Sequence, residues 1–204
     1  ERVIQVLPLP TPPRGSLGLL SSDGRFKRLP IEEFLELSGR AATVLKLRDG
    51  VVLQRVVACD EQHDLVVASS TGRLLRLAIN EANLPLMGRA AQGPVLRRRL
   101  PGACVVGAAA APAAGQVLLA MAGLRICQRG DLGQIGIRFL ERDDRLVDLQ
   151  ADRAPLVGAR VSGGNGSLRF LPADLPVQEA DGTGEDLKLP AGLELAGLVP
   201  LGSP

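Results

Sequence analysis

Short apolar runs separated by glycine-containing turns recur along this chain. Residues 18–29 and 65–77 each place an apolar run before a Ser-rich turn that ends in glycine, followed by a second run in which basic and apolar side chains mix. Two looser copies follow at 117–127 and 156–170. A tight glycine turn between two such runs is typical of a β-hairpin. The pattern therefore predicts four hairpins.

The turns are regularly spaced, which indicates a repeated unit. The steps between successive turn glycines are 48, 51 and 43 residues, and the glycines are Gly24, Gly72, Gly123 and Gly166. A second glycine series keeps the same phase at steps of 49, 48 and 48 residues; its members are Gly39, Gly88, Gly136 and Gly184. Periods of this size are typical of arrays whose units cannot bury their apolar faces alone.

The second half of a unit predicts another pair of strands. In the first unit this pair is Thr43–Arg48 and Val51–Ala58, joined by Asp49-Gly50, which is a strong hairpin turn. The corresponding segments of later units are 95–100 with 103–109, and 187–189 with 193–201. The connectors at 30–37 and 78–86 have the composition of short helices or irregular loops. Each unit is thus expected to supply four strands.

Four such units predict an all-β, propeller-like domain, because a radial arrangement leaves few sheet edges exposed. We expect one domain over residues 1–204. Residues 1–10 resemble the last strand of a unit and are expected to complete the terminal blade. The approximate blades are 15–61, 62–114, 115–153 and 154–204.

Composition narrows the function classes. Aromatic residues make up only 2% of the chain, with four Phe and no Trp or Tyr, so the core must consist of Leu, Val, Ile and Ala. No apolar stretch reaches the roughly 18 residues of a membrane-spanning helix, and no basic-then-apolar leader is present. We expect a cytoplasmic chain without a membrane segment.

Few residues suit catalysis or metal binding. His63 is the only histidine, which leaves little from which to build a zinc site or a Ser/His/Asp triad. Cys59, Cys104 and Cys127 have no metal-like spacing and are expected to be buried thiols in a reducing compartment. The glycine-rich stretch at 163–166 lacks the Lys-Ser/Thr of a phosphate-binding loop. We expect no metal and no cofactor.

Charge is distributed unevenly along the chain. Residues 1–140 contain 18 Arg and Lys against 11 Asp and Glu, whereas residues 141–204 contain 6 against 11. Arginine predominates among the cations, and its planar fork suits phosphate. The basic part of the chain is therefore a candidate nucleic-acid surface.

Many of the cations lie beside the repeat markers. Gly-Arg recurs at 24–25, 39–40, 72–73 and 88–89, and alternation over 44–48 would place Lys46 and Arg48 on one strand face with two leucines on the other. Charged side chains can simply solvate an outward face, but their recurrence favours a basic rim that contacts duplex phosphates. The candidate DNA-binding residues are Arg25, Lys27, Arg28, Arg40, Lys46, Arg48, Arg73, Arg76, Arg89, Arg97, Arg98, Arg99, Arg125 and Arg129.

The second unit carries a family resemblance. Its Ser-Thr-Gly-Arg turn at 70–73, the Gly-Arg-Ala-Ala-Gln-Gly segment at 88–93 and the Cys-Val-Val-Gly segment at 104–107 resemble the repeat of the C-terminal domain of bacterial type IIA topoisomerase A subunits, from gyrase and topoisomerase IV. The resemblance implies a β-pinwheel, in which neighbouring four-stranded blades exchange a strand. It also implies that the cations line a perimeter that bends duplex DNA for strand passage.

The same resemblance limits the activity. The family's catalytic nucleophile is a tyrosine in the separate breakage-reunion domain, and this chain has no Tyr, so we expect a non-catalytic domain that works with that domain and with an ATPase subunit on nucleoid DNA. The Gln-Arg-Arg-Gly-Gly-Lys-Gly box of gyrase corresponds to residues 37–43, which keep only Gly39 and Arg40, so weak or no chiral wrapping is expected. The residues that would repel a duplex in the fourth unit are Glu141, Asp143, Asp174, Asp181, Glu185 and Asp186.

One alternative from another class stays open, namely a propeller that serves as a scaffold for protein partners. It predicts no affinity for duplex DNA and no effect of charge reversal at Arg97 and Arg99. The choice of parent enzyme, gyrase or topoisomerase IV, is open as well.

Overall fold

A computed structural model describes residues 3, 5–7, 9, 12–35, 42–96, 102–112, 117–118, 121–122, 132–140, 145–146, 148–151, 156–162, 167–170, 178–179, 181–183 and 194–201 of the chain. Strands dominate these ranges, and the helix α1 (Glu32–Leu35) has only four residues. The strands are β1 (Ser16–Ser21), β2 (Phe26–Pro30), β3 (Leu53–Cys59), β4 (His63–Ser69), β5 (Arg73–Ala78), β6 (Val105–Pro112), β7 (Val117–Leu118), β8 (Met121–Ala122), β9 (Gln134–Ile135), β10 (Gln150–Ala151), β11 (Leu156–Ser162), β12 (Ser167–Phe170), β13 (Gln178–Glu179) and β14 (Glu194–Leu201).

The first hairpin forms as predicted. Strands β1 and β2 pair antiparallel around a turn in which Gly24 donates its N–H to the carbonyl of Ser21 at 2.9 Å. Gly24 has a φ of +81°, a conformation that glycine adopts without the steric cost that other residues incur. The predicted return strand β3 pairs with the other edge of β1, which gives the order β2-β1-β3.

Two further units repeat this arrangement. In the second unit β4 pairs with β5 and with the return strand β6, and in the fourth β11 pairs with β12 and with β14. The register between the hairpin and its return strand shifts at the corresponding place in all three units, at Leu20/Ser21, Ala68/Ser69 and Arg160/Val161. A bulge that recurs at one position confirms that these units are structural repeats.

Each of the first two sheets is completed by a segment of the following unit. On β2, Phe26 donates its N–H to Pro94 at 3.0 Å, Leu96 donates to Gly24 at 3.0 Å, and Arg25 forms a bridge with Val95. On β5, the added segment is β9, in the register Arg73 opposite Ile135. We call residues 94–96 and 134–135 the exchange segments. They confirm the strand exchange that the family resemblance implies.

The core lies between the sheets and is built mainly from aliphatic side chains. One buried cluster joins the first two units through Leu20, Phe26, Val67 and Leu75, and a second joins β4 and β6 to Leu149. Strands β3 and β6 of neighbouring units contact each other, whereas β2 and β5 lie toward the opposite edge of their sheets, next to the exchange segments. Both faces of β4 are buried.

The predicted strand Thr43–Arg48 is wrong. Residues 42–48 have no strand pairing, although the Asp49-Gly50 turn is present, with Val51 donating to Arg48 at 3.0 Å. The leucines of this stretch do not form a core face either, because Leu47 is 40% exposed. Of this predicted strand pair, only β3 joins the sheet. We call residues 42–50 the cationic loop.

The predicted N-terminal strand and the predicted third hairpin have different outcomes. Residues 3, 5–7 and 9 lie in no strand, and the side chain of Gln5 instead makes two 2.9 Å hydrogen bonds with the backbone of Val56 on β3. In the third unit, β7 pairs with β10 and β8 pairs parallel to β13, while the predicted turn and return run at 123–127 lie outside the described residues. The blade boundaries and the completion of the terminal blade stay predictions.

Replacing Gly93 by Ala should destabilise the domain, because Gly93 leads into the first exchange segment with a φ of +79° and an added Cβ would lie 2.2 Å from the carbonyl oxygen of Phe26. We expect the free energy of unfolding to fall by about 1 to 3 kcal/mol. The control Gly88→Ala, where a Cβ would meet nothing within 4 Å, should change it by less than about 0.5 kcal/mol. Equal effects of the two variants in urea titrations would contradict this role of Gly93.

Candidate nucleic-acid interface

The structure describes eight of the fourteen candidate cations. The other six lie outside the described residues, so their predicted contacts with DNA stay predictions; these are Arg40, Arg97, Arg98, Arg99, Arg125 and Arg129. The eight described residues fall into three groups: buried charges, cations that tie one unit to the next, and exposed cations.

The predicted perimeter position is wrong for three residues, because Lys27, Arg28 and Arg76 are buried, with exposed fractions of 0%, 2% and 8%. Alternation along a strand separates two faces, but it does not tell whether the second face is covered by a neighbouring sheet. In this array it is covered. The charges of these residues are used inside the domain.

Arg28 and Arg76 meet carboxylates. The guanidinium of Arg76 pairs with buried Asp64 through Nε and Oδ2 at 2.7 Å. Arg28 pairs with Glu81 and, at 3.7 Å, with Glu61, whose own side chains are mostly exposed. Buried guanidinium groups of this kind need partners because the low-dielectric interior penalises a lone charge.

Within the described part of the chain, the hydrogen-bond acceptors of Lys27 are carbonyl oxygens. Its Nζ donates to the carbonyl of Val44 in the cationic loop at 2.7 Å and to the carbonyl of Arg89 in the second unit at 2.6 Å. Burial lowers the pKa of this ammonium, and the nearby carboxylate of Glu33 partly opposes the shift. The side chain thus joins two connectors that have no strand pairing of their own there.

Arg25 and Arg73 occupy equivalent places in the first two units and make the same contact. Arg25 donates from Nη1 to the carbonyl of Gly93 at 2.9 Å, and Arg73 donates to the carbonyl of Gly133 at 3.0 Å. Both accepting glycines immediately precede the exchange segments. The Gly-Arg pairs at 24–25 and 72–73 therefore hold the following unit in place, and Arg25 also pairs with Asp23 through Nε and Oδ2 at 3.4 Å.

Arg89 also connects two units. It pairs with Glu33 of α1 through Nε and Oε2 at 2.7 Å and donates from Nη2 to the carbonyl of the same residue at 2.6 Å. Its side chain is 38% exposed. Arg89 thus fastens the connector of the second unit to that of the first.

The side chains of Lys46 and Arg48 are exposed and have no ion-pair or hydrogen-bond partner among the described residues. The carbonyl of Val44 ties the loop that carries them to Lys27 on β2. Just after this loop, the carbonyl of Val52 accepts a hydrogen bond from the backbone N–H of Ser22 in the first hairpin turn at 2.9 Å. Two cations with uncommitted donors on an exposed loop can each donate to a phosphate oxygen. This loop is the clearest candidate contact within the described ranges.

Arg14 was missed by the sequence analysis, because it precedes the first hairpin and belongs to no repeat marker. It is exposed and, within the part of the chain that is described, also lacks a charged partner. It lines an open cavity of about 1190 Å³ at the end of β1 opposite the turn, together with Asp60 and Glu61. These carboxylates oppose a phosphate, so Arg14 is a weaker candidate than Lys46 or Arg48.

Of the predicted repelling acids only Asp181 is described, and it is paired. Arg138 binds it through Nε and Oδ1 at 2.5 Å and through Nη2 and Oδ2 at 2.6 Å. The hydrogen bond from Arg138 lowers the pKa of the Asp181 carboxyl, so its charge is balanced locally. The other five acids lie outside the described residues.

The cysteine prediction is partly wrong. Cys59 is buried as expected, but Cys104 is exposed, and Cys127 lies outside the described residues. Burial raises the pKa of the Cys59 thiol to about 12, despite the nearby charge of Arg28. Within the described ranges no group of three or more His, Cys, Asp or Glu side chains could hold a metal ion, and no described helix is long and apolar enough to cross a membrane.

Comparison with known proteins finds one family of similar domains. A family model described as the DNA gyrase C-terminal domain, beta-propeller, matches residues 19–60 and 63–93. The A subunit of DNA topoisomerase 4 from Synechocystis sp. is 31% identical over 164 residues, which cover 71% of this chain and 18% of that relative. The chain is similar to the C-terminal domain of type IIA topoisomerase A subunits. It spans less than a fifth of the length of this relative.

Solved structures of the family share the fold. A C-terminal domain of DNA topoisomerase IV superposes with a TM-score of 0.75 at 12% identity, and a gyrase A C-terminal domain with 0.72 at 15%. These matches cover 91% of this chain and 61% and 65% of the solved chains. The C-terminal domain of E. coli ParC gives 0.61 at 18%, covering 92% and 80%. The all-β pinwheel predicted for this topoisomerase domain is thereby confirmed.

Neutralising a buried cation of this topoisomerase domain should cost far more stability than neutralising an exposed one. Arg76→Met leaves the buried carboxylate of Asp64 without its ion-pair partner, and we expect the free energy of unfolding to fall by about 3 kcal/mol. Arg48→Met should change it by less than about 0.5 kcal/mol. Urea unfolding of both variants measures the difference, and similar midpoints would contradict the distinction between internal and surface cations.

The two described cysteines should differ in reactivity. With a pKa of about 12, the buried Cys59 is thiolate in only about one molecule in ten thousand at pH 8. We expect iodoacetamide to label exposed Cys104 in the native protein and to label Cys59 only in denaturant, as read by mass spectrometry of the peptides. Rapid labelling of Cys59 under native conditions would show that β3 opens readily.

Proposed function

We propose that this chain is a non-catalytic domain that binds and bends duplex DNA and guides it toward the strand-passing core of a type IIA topoisomerase. The observation that carries the proposal is the cationic loop, because the side chains of Lys46 and Arg48 are exposed and lack a partner within the described ranges of a chain that is similar to this domain family. Residues 1–140 contain 18 basic against 11 acidic residues, and this excess of positive charge supports the proposal. The proposed partners are double-stranded DNA, the breakage-reunion domain and the ATPase subunit, on nucleoid DNA in the cytoplasm.

Contact with phosphates explains both binding and bending in this proposal. If about six cations touch phosphates, the affinity should fall roughly a thousandfold between 50 and 200 mM salt, because each contact releases counterions. Bending a site of 20 to 30 base pairs costs on the order of 1 to 6 kcal/mol, and several charge-assisted hydrogen bonds can offset that cost. The binding is expected to tolerate many sequences, since phosphates carry no base identity.

Two features of the sequence define the rest of the proposal. The chain has no tyrosine, the nucleophile that the family resemblance implies for strand breakage, so we assign cleavage to another domain. The box at 37–43 keeps Gly39 and Arg40 alone, so we propose weak or no chiral wrapping. The domain would then steer a duplex rather than fix the sign of supercoiling.

Removing the two loop cations should weaken DNA binding. We expect Lys46→Gln with Arg48→Gln to lower the affinity for a 30 base-pair duplex by about fiftyfold at 0.1 M salt and to reduce the salt slope by about 2, since two phosphate contacts are lost. Fluorescence anisotropy over a salt series measures both quantities. End-to-end energy transfer on the same duplex reports bending.

A matched pair of single variants tests the location of the contact. Arg48→Gln and Arg14→Gln remove the same charge, but only Arg48 lies in the cationic loop. We expect about sevenfold weaker binding for Arg48→Gln and a smaller loss for Arg14→Gln. Equal losses would indicate a response to net charge alone. Absence of duplex binding by the unmodified chain would favour the protein-scaffold alternative.

A further inference from the structure

The buried ammonium of Lys27 stands at a position that the repeat fills with an apolar side chain. Lys27 lies opposite Leu19 on the first hairpin, and Leu75 lies opposite Val67 at the equivalent place on the second. Both side chains are buried, at 0% and 1% exposure. The sheet therefore accepts a leucine here, and the charge in the first unit has a cost that the second unit avoids.

The contacts of this ammonium lie in connectors rather than in the sheet. One acceptor is the carbonyl of Val44, within the cationic loop, and the other is the carbonyl of Arg89 in the second unit. Residues 42–48 have no strand pairing, so no backbone hydrogen bonds of a sheet hold this stretch. The hydrogen bond from Lys27 to Val44 holds it instead. Arg89 is itself fixed by its ion pair with Glu33. Lys27 thus fastens the loop to the junction between two units, where Arg89 pairs with Glu33.

The exposed cations lie close to this attachment. Lys46 and Arg48 follow Val44 by two and four residues, a reach of at most about 7 and 14 Å for an extended chain. A loop that is fixed before binding loses less conformational entropy when it contacts a ligand. Restraint at Val44 therefore bears directly on how well the two cations meet phosphates.

We infer that Lys27 is a positioning residue, which holds the cationic loop against the second unit so that Lys46 and Arg48 meet the duplex without touching it itself. This inference rests on the proposed function for its effect on DNA. Its effect on the loop does not depend on that function. The two parts can therefore be tested separately.

The first test measures the loop without DNA. Lys27→Met replaces the ammonium by an unbranched apolar chain, and we expect the domain to fold while trypsin cleaves the native protein after Lys46 and Arg48 about tenfold faster, because the loop must detach to enter a protease. Leu75→Met is the matched control at the equivalent site of the second unit and should leave that cleavage rate unchanged. An unchanged rate of loop cleavage in Lys27→Met would overturn the inference.

Folding failure is also informative. If Lys27→Met does not fold, Lys27→Leu, which introduces the residue of the second unit, takes its place. Failure of both variants would show that the ammonium is needed for the fold itself and would overturn the positioning role.

The second test measures DNA affinity in two backgrounds. We expect Lys27→Met to weaken duplex binding by about three- to tenfold in the unmodified chain and to have no further effect when Lys46 and Arg48 are already Gln, because its contribution passes through them. An equal loss in both backgrounds would indicate that Lys27 acts on DNA by another route and would overturn the inference. If the unmodified chain binds no duplex, the proposed function fails, and the cleavage experiment still decides the role of Lys27.

Discussion

The structure depends on the completion of each sheet by the next unit. A hairpin with its return strand leaves the outer edge of β2 or β5 unpaired. An unpaired edge costs free energy if it is buried and promotes aggregation if it is exposed. Residues 94–96 and β9 cover these edges, and the guanidinium groups of Arg25 and Arg73 fix the carbonyls just before them. The same contact at two equivalent places makes neighbouring units interdependent.

This packing explains why some basic side chains are buried and others stay exposed. Because a sheet within the array is covered on both faces, Lys27 and Arg28 on β2 and Arg76 on β5 become internal. Glu81 and Asp64 pair with the two guanidinium groups, and backbone carbonyls accept hydrogen bonds from the ammonium. The cations that stay available lie where the chain leaves the sheets, as in residues 42–50. In this domain the loops between strands, more than the strands, are the candidates for recognition.

The first, second and fourth hairpins form as predicted because their signal is local. Gly24 and Gly72 require the turn conformation that the pattern indicates, and the apolar runs beside them have the length of strands. The strand at 43–48 was wrong because alternation of Lys46 and Arg48 with leucines also suits a loop that crosses a sheet. The burial of Lys27 could not be predicted from alternation, since it depends on carbonyls 17 and 62 residues away in the chain. Arg14 carried no repeat signal at all.

The exchange of segments also sets the size of the piece that can be copied during evolution. A duplication that runs from one hairpin to the next includes the residues that finish the preceding sheet. An inserted copy therefore carries the segment that pairs with the free edge of the sheet before it. A duplication bounded by one sheet in space would instead have to draw on two separate stretches of the gene. The number of blades in such an array can therefore change by single recombination events that leave every internal edge paired.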